Sequence, residues 1–98
     1  MDRAAPPDVQ ARIREVARSV PGVRDIDKCL TRKSGPYWLV DIHVMVDGEL
    51  PVSKGHSIGH DVKRALRESD LGVLDVLVHI EPDDDATTDE FTLKTRQP

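Results

Sequence analysis

Tyr37-Trp38-Leu39-Val40-Asp41-Ile42-His43-Val44-Met45-Val46 alternates between apolar residues and a mixed set. Successive side chains of a strand point to opposite faces. Trp38, Val40, Ile42, Val44 and Val46 therefore share one apolar face, and Leu39, Asp41, His43 and Met45 share the other. Ser34-Gly35-Pro36 before this run reads as a turn, and Asp47-Gly48 with Pro51 ends it. Upstream, Val23 to Lys33 is predicted as a strand with Ile26 and Leu30 on its apolar face, so the first two strands form a hairpin. Downstream, Gly72 leads into a third strand, Leu74-Asp75-Val76-Leu77-Val78-His79-Ile80-Glu81-Pro82. Here Leu74, Val76, Val78 and Ile80 fall on one face, and Asp75, Leu77, His79 and Glu81 on the other.

Two segments have helical spacing instead. Val9, Ile13, Val16, Ala17 and Val20 follow Asp8, a candidate N-cap, and stop at Pro21-Gly22. Ile58, Val62, Ala65 and Leu66 follow Ser53, a second candidate cap, and Gly59 weakens that helix by up to about 1 kcal/mol relative to Ala. The order helix, strand, strand, helix, strand is an α+β pattern. A crossover through the second helix makes strands two and three parallel neighbours. Each helix has one apolar stripe, so both pack on the sheet face of Trp38, Val40, Ile42, Val76 and Val78. The open face is left with Asp41, His43, Met45, Asp75, Leu77, His79 and Glu81, and strand one adds Asp25, Asp27 and Cys29.

A chain of 98 residues makes one small domain with a thin two-layer core. Such a domain commonly draws stability from a metal or a partner subunit. Net charge is −4 and no long basic run occurs, which argues against nucleic acid as a partner. Cys29 is the single cysteine, so no internal disulfide forms. No apolar stretch approaches the roughly 20 residues that span a bilayer. Residues 1–7 read as an entry linker, and 84–98 as an acidic tail expected to be disordered, with Phe91 and Leu93 its only apolar anchors. There is no nucleophile elbow, no Gly-rich phosphate loop and no triad around Ser57, so the chain is not expected to be an enzyme.

The chemistry lies on the open face. Imidazole and carboxylate both give lone pairs to a metal, and parallel strands lie about 4.8 Å apart, close enough for His43 and His79 to share one cation. His and carboxylate donors suit zinc, iron or manganese. Asp41 is either a ligand, an acceptor that fixes an imidazole tautomer, or an ordinary exposed strand residue. His56 and His60, four apart, share a helix face; they are either a ligand pair or two solvated histidines. Cys29 reads as a half-buried thiol, and Met45 and Leu77 as contact surface.

Val20-Pro21-Gly22-Val23, Arg32-Lys33-Ser34-Gly35, Val40-Asp41-Ile42-His43-Val44, Gly55-His56-Ser57-Ile58 and Val78-His79-Ile80-Glu81-Pro82 together resemble the cytosolic C-terminal domain of cation diffusion facilitator transporters. The resemblance covers residues 8–83 in register. It implies a metallochaperone-like (ferredoxin-like) αββαβ fold, a three-stranded sheet with two helices on one face. It further implies a homodimer on the cytoplasmic side of a bacterial membrane, joined to the transmembrane domain of the same parent chain. That parent would export divalent cations in exchange for protons, and Met1 would be an internal residue of it. The ligand positions the resemblance implies are His43, His56, His79 and Glu81; Asp41 matches a position of some iron- or manganese-associated members, magnetosome ones included. Arg24 stands in the region where zinc exporters carry a His, and Glu81 where they carry Asp. These two departures point to a single, weaker or differently selective site.

The expected function is therefore a regulatory domain that dimerises and binds divalent metal to favour the transport-competent state of an exporter. The alternative is a constitutive dimerisation or docking module without metal sensing, using Met45, Leu77 and Leu39 as contacts.

Overall fold

The computed structural model describes residues 4–83; the tail at 84–98 and the first three linker residues lie outside the described residues. The elements are α1 (Pro7–Arg18), β1 (Asp25–Ser34), β2 (Tyr37–Val46), α2 (Val52–Arg67) and β3 (Val73–Pro82). They form one sheet in the order β1-β2-β3. β1 and β2 pair antiparallel, and β2 and β3 pair parallel, as the helical crossover requires. Val40, Ile42, Val44 and Val46 of β2 are buried together with Ile13 and Ala17 of α1 and Ile58, Val62 and Leu66 of α2. This is the expected metallochaperone-like αββαβ fold, with both helices against one face of the sheet.

Both helices begin differently from expectation. Pro6 and Pro51 occupy the cap positions, in extended conformation and without a side-chain cap bond. Asp8 and Ser53 lie inside the first turns. A proline at the start costs the helix nothing, because the first-turn N–H groups have no intrahelical partner, and Asp8 still places negative charge at the positive end of α1.

Two irregularities correct the face assignments. β1 shifts register between Ile26 and Lys28. The shift buries Cys29 alongside Ile26 and leaves Leu30 61% exposed, so Cys29 is a core residue and Leu30 an open-face one. Burial pushes the Cys29 thiol pKa up, making it a poor nucleophile. In β3 the pairing steps from Trp38–Val73 to Leu39–Asp75. Leu74 is the extra residue; it is exposed, and Val73 takes the core place expected for it. From Asp75 to Pro82 the predicted alternation holds.

α2 lies close on β3 at two glycines. A Cβ at Gly55 would stand 3.5 Å from Ile80, and one at Gly59 3.4 Å from the same side chain. The loop after α1 is tighter still: Gly22 has φ +96°, and a Cβ there would sit 2.6 Å from Ile58 Cδ1. Gly35, at φ +56°, has nothing within 4 Å of that point.

Gly22→Ala combines backbone strain with overpacking and is expected to lower unfolding stability by about 3 kcal/mol. Gly35→Ala carries the left-handed cost alone, about 1 kcal/mol. Urea denaturation of the two variants measures the difference, and equal losses would refute the packing account.

Candidate metal centre

β2 and β3 pair in a register that sets His43 directly opposite His79, Asp41 opposite Leu77 and Met45 opposite Glu81. Residues paired across neighbouring strands share a face, and positions two apart on a strand return to it. His43, His79, Asp41 and Glu81 therefore converge on the open face. The two imidazoles stack, with ring centroids 4.3 Å apart and planes 18° from parallel. Asp41 Oδ1 lies 3.0 Å from His79 Nε2 and 3.8 Å from His43 Nε2. On the other side of the His43 ring, Nδ1 is 2.5 Å from Glu81 Oε2.

An ionised carboxylate only accepts hydrogen bonds, so Nδ1 of neutral His43 carries the proton and donates it to Glu81. The Nε2 lone pair is then left facing Asp41 and His79. Asp41 Oδ1 is itself buried, although the side chain is 43% exposed, and it has no hydrogen-bond partner despite its closeness to His79 Nε2. The contact is short but lacks hydrogen-bond geometry. A buried carboxylate oxygen without a donor is costly, and a cation between Asp41, His43 and His79 would satisfy it. The donor atoms of these three residues lie within 4.8 Å of one another. Two imidazoles and one carboxylate fit a divalent cation of the zinc, iron or manganese type and leave coordination positions open.

A second group shares the same ring. Asp27, His43 and Glu81 also bring donor atoms within 4.8 Å of one another. It would draw on Nδ1, whereas the first group draws on Nε2, and a neutral imidazole has one lone pair. The two groups are alternatives at one His43. Asp27 belongs to the β1 register shift. Its place on the open face was expected, but its reach to His43 depends on a bulge that strand alternation does not encode. The neighbouring open-face carboxylates Asp25 and Asp75 are engaged elsewhere. Each has its pKa lowered first by a backbone N–H, from Ile26 and Val76 respectively, and then by the Arg18 or Lys63 side chain.

Of the residues expected to bind metal, Asp41, His43, His79 and Glu81 come together within one chain. His56 stands on α2 beside His60 and belongs to neither group. Around the centre, Leu30 and Leu77 pair with Asp41 from either side and are 61% and 59% exposed. Two exposed leucines thus flank the polar cluster at Asp41, a leucine rim on either side of it.

The family of cation efflux protein cytoplasmic domains matches residues 5–83. The cation-efflux pump FieF of Pectobacterium atrosepticum is 35% identical over 82 residues, which are 84% of this chain and 27% of the pump. FieF of Serratia proteamaculans is 37% identical over the same shares. The chain thus spans about a quarter of the length of these curated relatives. Among solved structures, a variant of the MamM CTD has TM-score 0.77 at 29% identity, covering 82% of this chain and all of that one. A cadmium form of another MamM CTD variant has TM-score 0.76 at 29% identity, covering 80% and 98%.

The hydrogen bond from His43 to Glu81 generates a graded expectation. Glu81→Ala frees the imidazole and weakens divalent-cation binding by about 10- to 100-fold. Glu81→Gln keeps a carbonyl acceptor for Nδ1–H and loses less. Isothermal titration calorimetry reads both; equal losses would make Glu81 a direct ligand.

Proposed function

We propose that this chain, which belongs to the family of cation efflux protein cytoplasmic domains, is the metal-sensing and dimerisation domain of a divalent-cation exporter. One observation carries the reading: Asp41, His43 and His79 converge on an open sheet face around a buried carboxylate oxygen that has no donor. Asp41, His43 and His79 would hold the cation, and Glu81 would act by fixing the His43 tautomer. Three protein donors leave the coordination shell incomplete. A second protomer would supply what is missing; the family resemblance gives His56, on α2, as a donor contributed across or beside the interface, and across it is the use that completes this shell. One cation at each sheet centre follows from the single lone pair of His43.

Regulation follows from where the groups lie. Carboxylates on two acidic protomers repel, and a shared cation offsets that repulsion only when the open faces approach. The cation then favours the closed arrangement by its differential affinity for it, and by no more than that. Leu30 and Leu77 bury apolar surface in the same approach, about 25 cal/mol per Å² removed from water. Closure under a membrane domain would favour the transport-competent state of the parent. The iron, zinc or manganese character of the cation rests on the N and O donor set.

A constitutive dimer held by the leucine rim alone is the competing reading. Small-angle scattering with and without zinc or manganese separates the two. The wild-type dimer is expected to compact on addition of metal, and His43→Ala/His79→Ala to show no change. The same compaction in both proteins would place the sensing elsewhere, and a metal-indifferent wild-type dimer would favour the leucine rim.

A further inference from the structure

Outside the sheet centre, one further cluster of metal-ligating side chains stands out among the described residues. His56 and His60 lie one helical turn apart on the exposed side of α2, whose opposite side is anchored by buried Ile58 and Val62. Their Nε2 atoms are 2.9 Å apart, and the rings meet edge to face with centroids 4.4 Å apart. Among the described residues, neither ring is paired with a carboxylate, and no third metal-ligating side chain joins them. In the metal-free protein one ring donates from Nε2–H to the lone pair of the other. The nearby cations are already engaged: Lys63 lies 3.3 Å from Asp75, and Arg64 3.2 Å from Asp61.

We infer that His56 and His60 form a second divalent-cation site, a two-imidazole chelate on α2 that shares no ligand with the sheet centre of its own protomer and prefers copper(II) over nickel and zinc. Metal–imidazole bonds are about 2.0–2.1 Å long. Two such bonds at a right angle place their nitrogens about 2.9 Å apart, whereas a tetrahedral angle needs about 3.3 Å. The observed 2.9 Å is set by a hydrogen bond, and it equals the separation that the 90° bite of tetragonal copper(II) or nickel(II) needs once the donating ring moves its proton to Nδ1. A chelate of two exposed imidazoles with water in the remaining positions imposes no other selection, so affinity follows the intrinsic order of these metals. The helix holds both rings one turn apart before the metal arrives, which raises the effective concentration of the second nitrogen once the first has bound and the ring proton has moved to Nδ1. His56 engaged in this way is unavailable to a neighbouring protomer, so the two uses of His56 compete.

The chain has four histidines. His43→Ala/His79→Ala removes the sheet centre and leaves only His56 and His60. Copper(II) titration of that variant, followed by electron paramagnetic resonance, is expected to give one bound copper per protomer with coupling to two ring nitrogens. Calorimetry is expected to rank copper above nickel above zinc. Adding His60→Ala lowers copper affinity by about 10-fold or more and reduces the coupling to one nitrogen. His60→Ala raises helix propensity at an exposed position, and circular dichroism checks that the fold is kept. Unchanged affinity and spectrum after His60→Ala, or the absence of two-nitrogen coupling before it, would overturn the inference. Because His43 and His79 are absent throughout, this result is independent of whether the sheet centre senses metal.

Discussion

The parallel register of β2 on β3 is the constraint on which the site depends. Side-chain period in a strand is two, so a slip of one residue would send His79 and Glu81 into the helix layer and bring Val78 and Ile80 to the open face. The register is held from the other side of the sheet. Ile42 and Val44 are fully buried, and Val76 nearly so, in the core shared with both helices. Val78 and Ile80 pack under the glycines of that helix. Core packing on one face thereby places the chemistry on the other.

The open face combines features that a stable monomer has little use for. Stacked imidazoles, a carboxylate oxygen buried without a donor and two largely exposed leucines occupy three adjacent strands. Each is a cost or a neutral feature in isolation: an unsatisfied buried oxygen destabilises, and exposed leucines gain nothing from water. A cation and a second copy of the same face would turn them into favourable terms together. In the function proposed above, metal binding and dimerisation would for this reason belong to one surface.

Much of the fold was legible because its determinants are local. Alternation from Tyr37 to Val46, the stripe Ile58, Val62, Ala65, Leu66 and the breaks at Pro21-Gly22 and Asp47-Gly48 each depend on neighbours within a few residues. Single-residue irregularities were not legible. The β1 shift that exchanges Cys29 and Leu30 between faces, and the extra residue Leu74 in β3, arise from pairing with β2. The caps failed for a related reason: Asp8 and Ser53 have the right chemistry, but Pro6 and Pro51 set the chain direction first.

For the site, the sequence by itself determined which residues share the open face and that His43 and His79 lie on neighbouring strands, since alternation and crossover topology require it. Only the tertiary structure decided how they are used. It gave the His43 Nδ1 proton a carboxylate to go to, and so directed Nε2 toward Asp41 and His79. Through the β1 bulge it brought Asp27 to the same ring, and it set His56 against His60 rather than against the sheet. Face and order are fixed by period and connectivity. Tautomer, donor distance and partner choice depend on angstrom-scale packing across strands far apart in the chain, which no local pattern encodes.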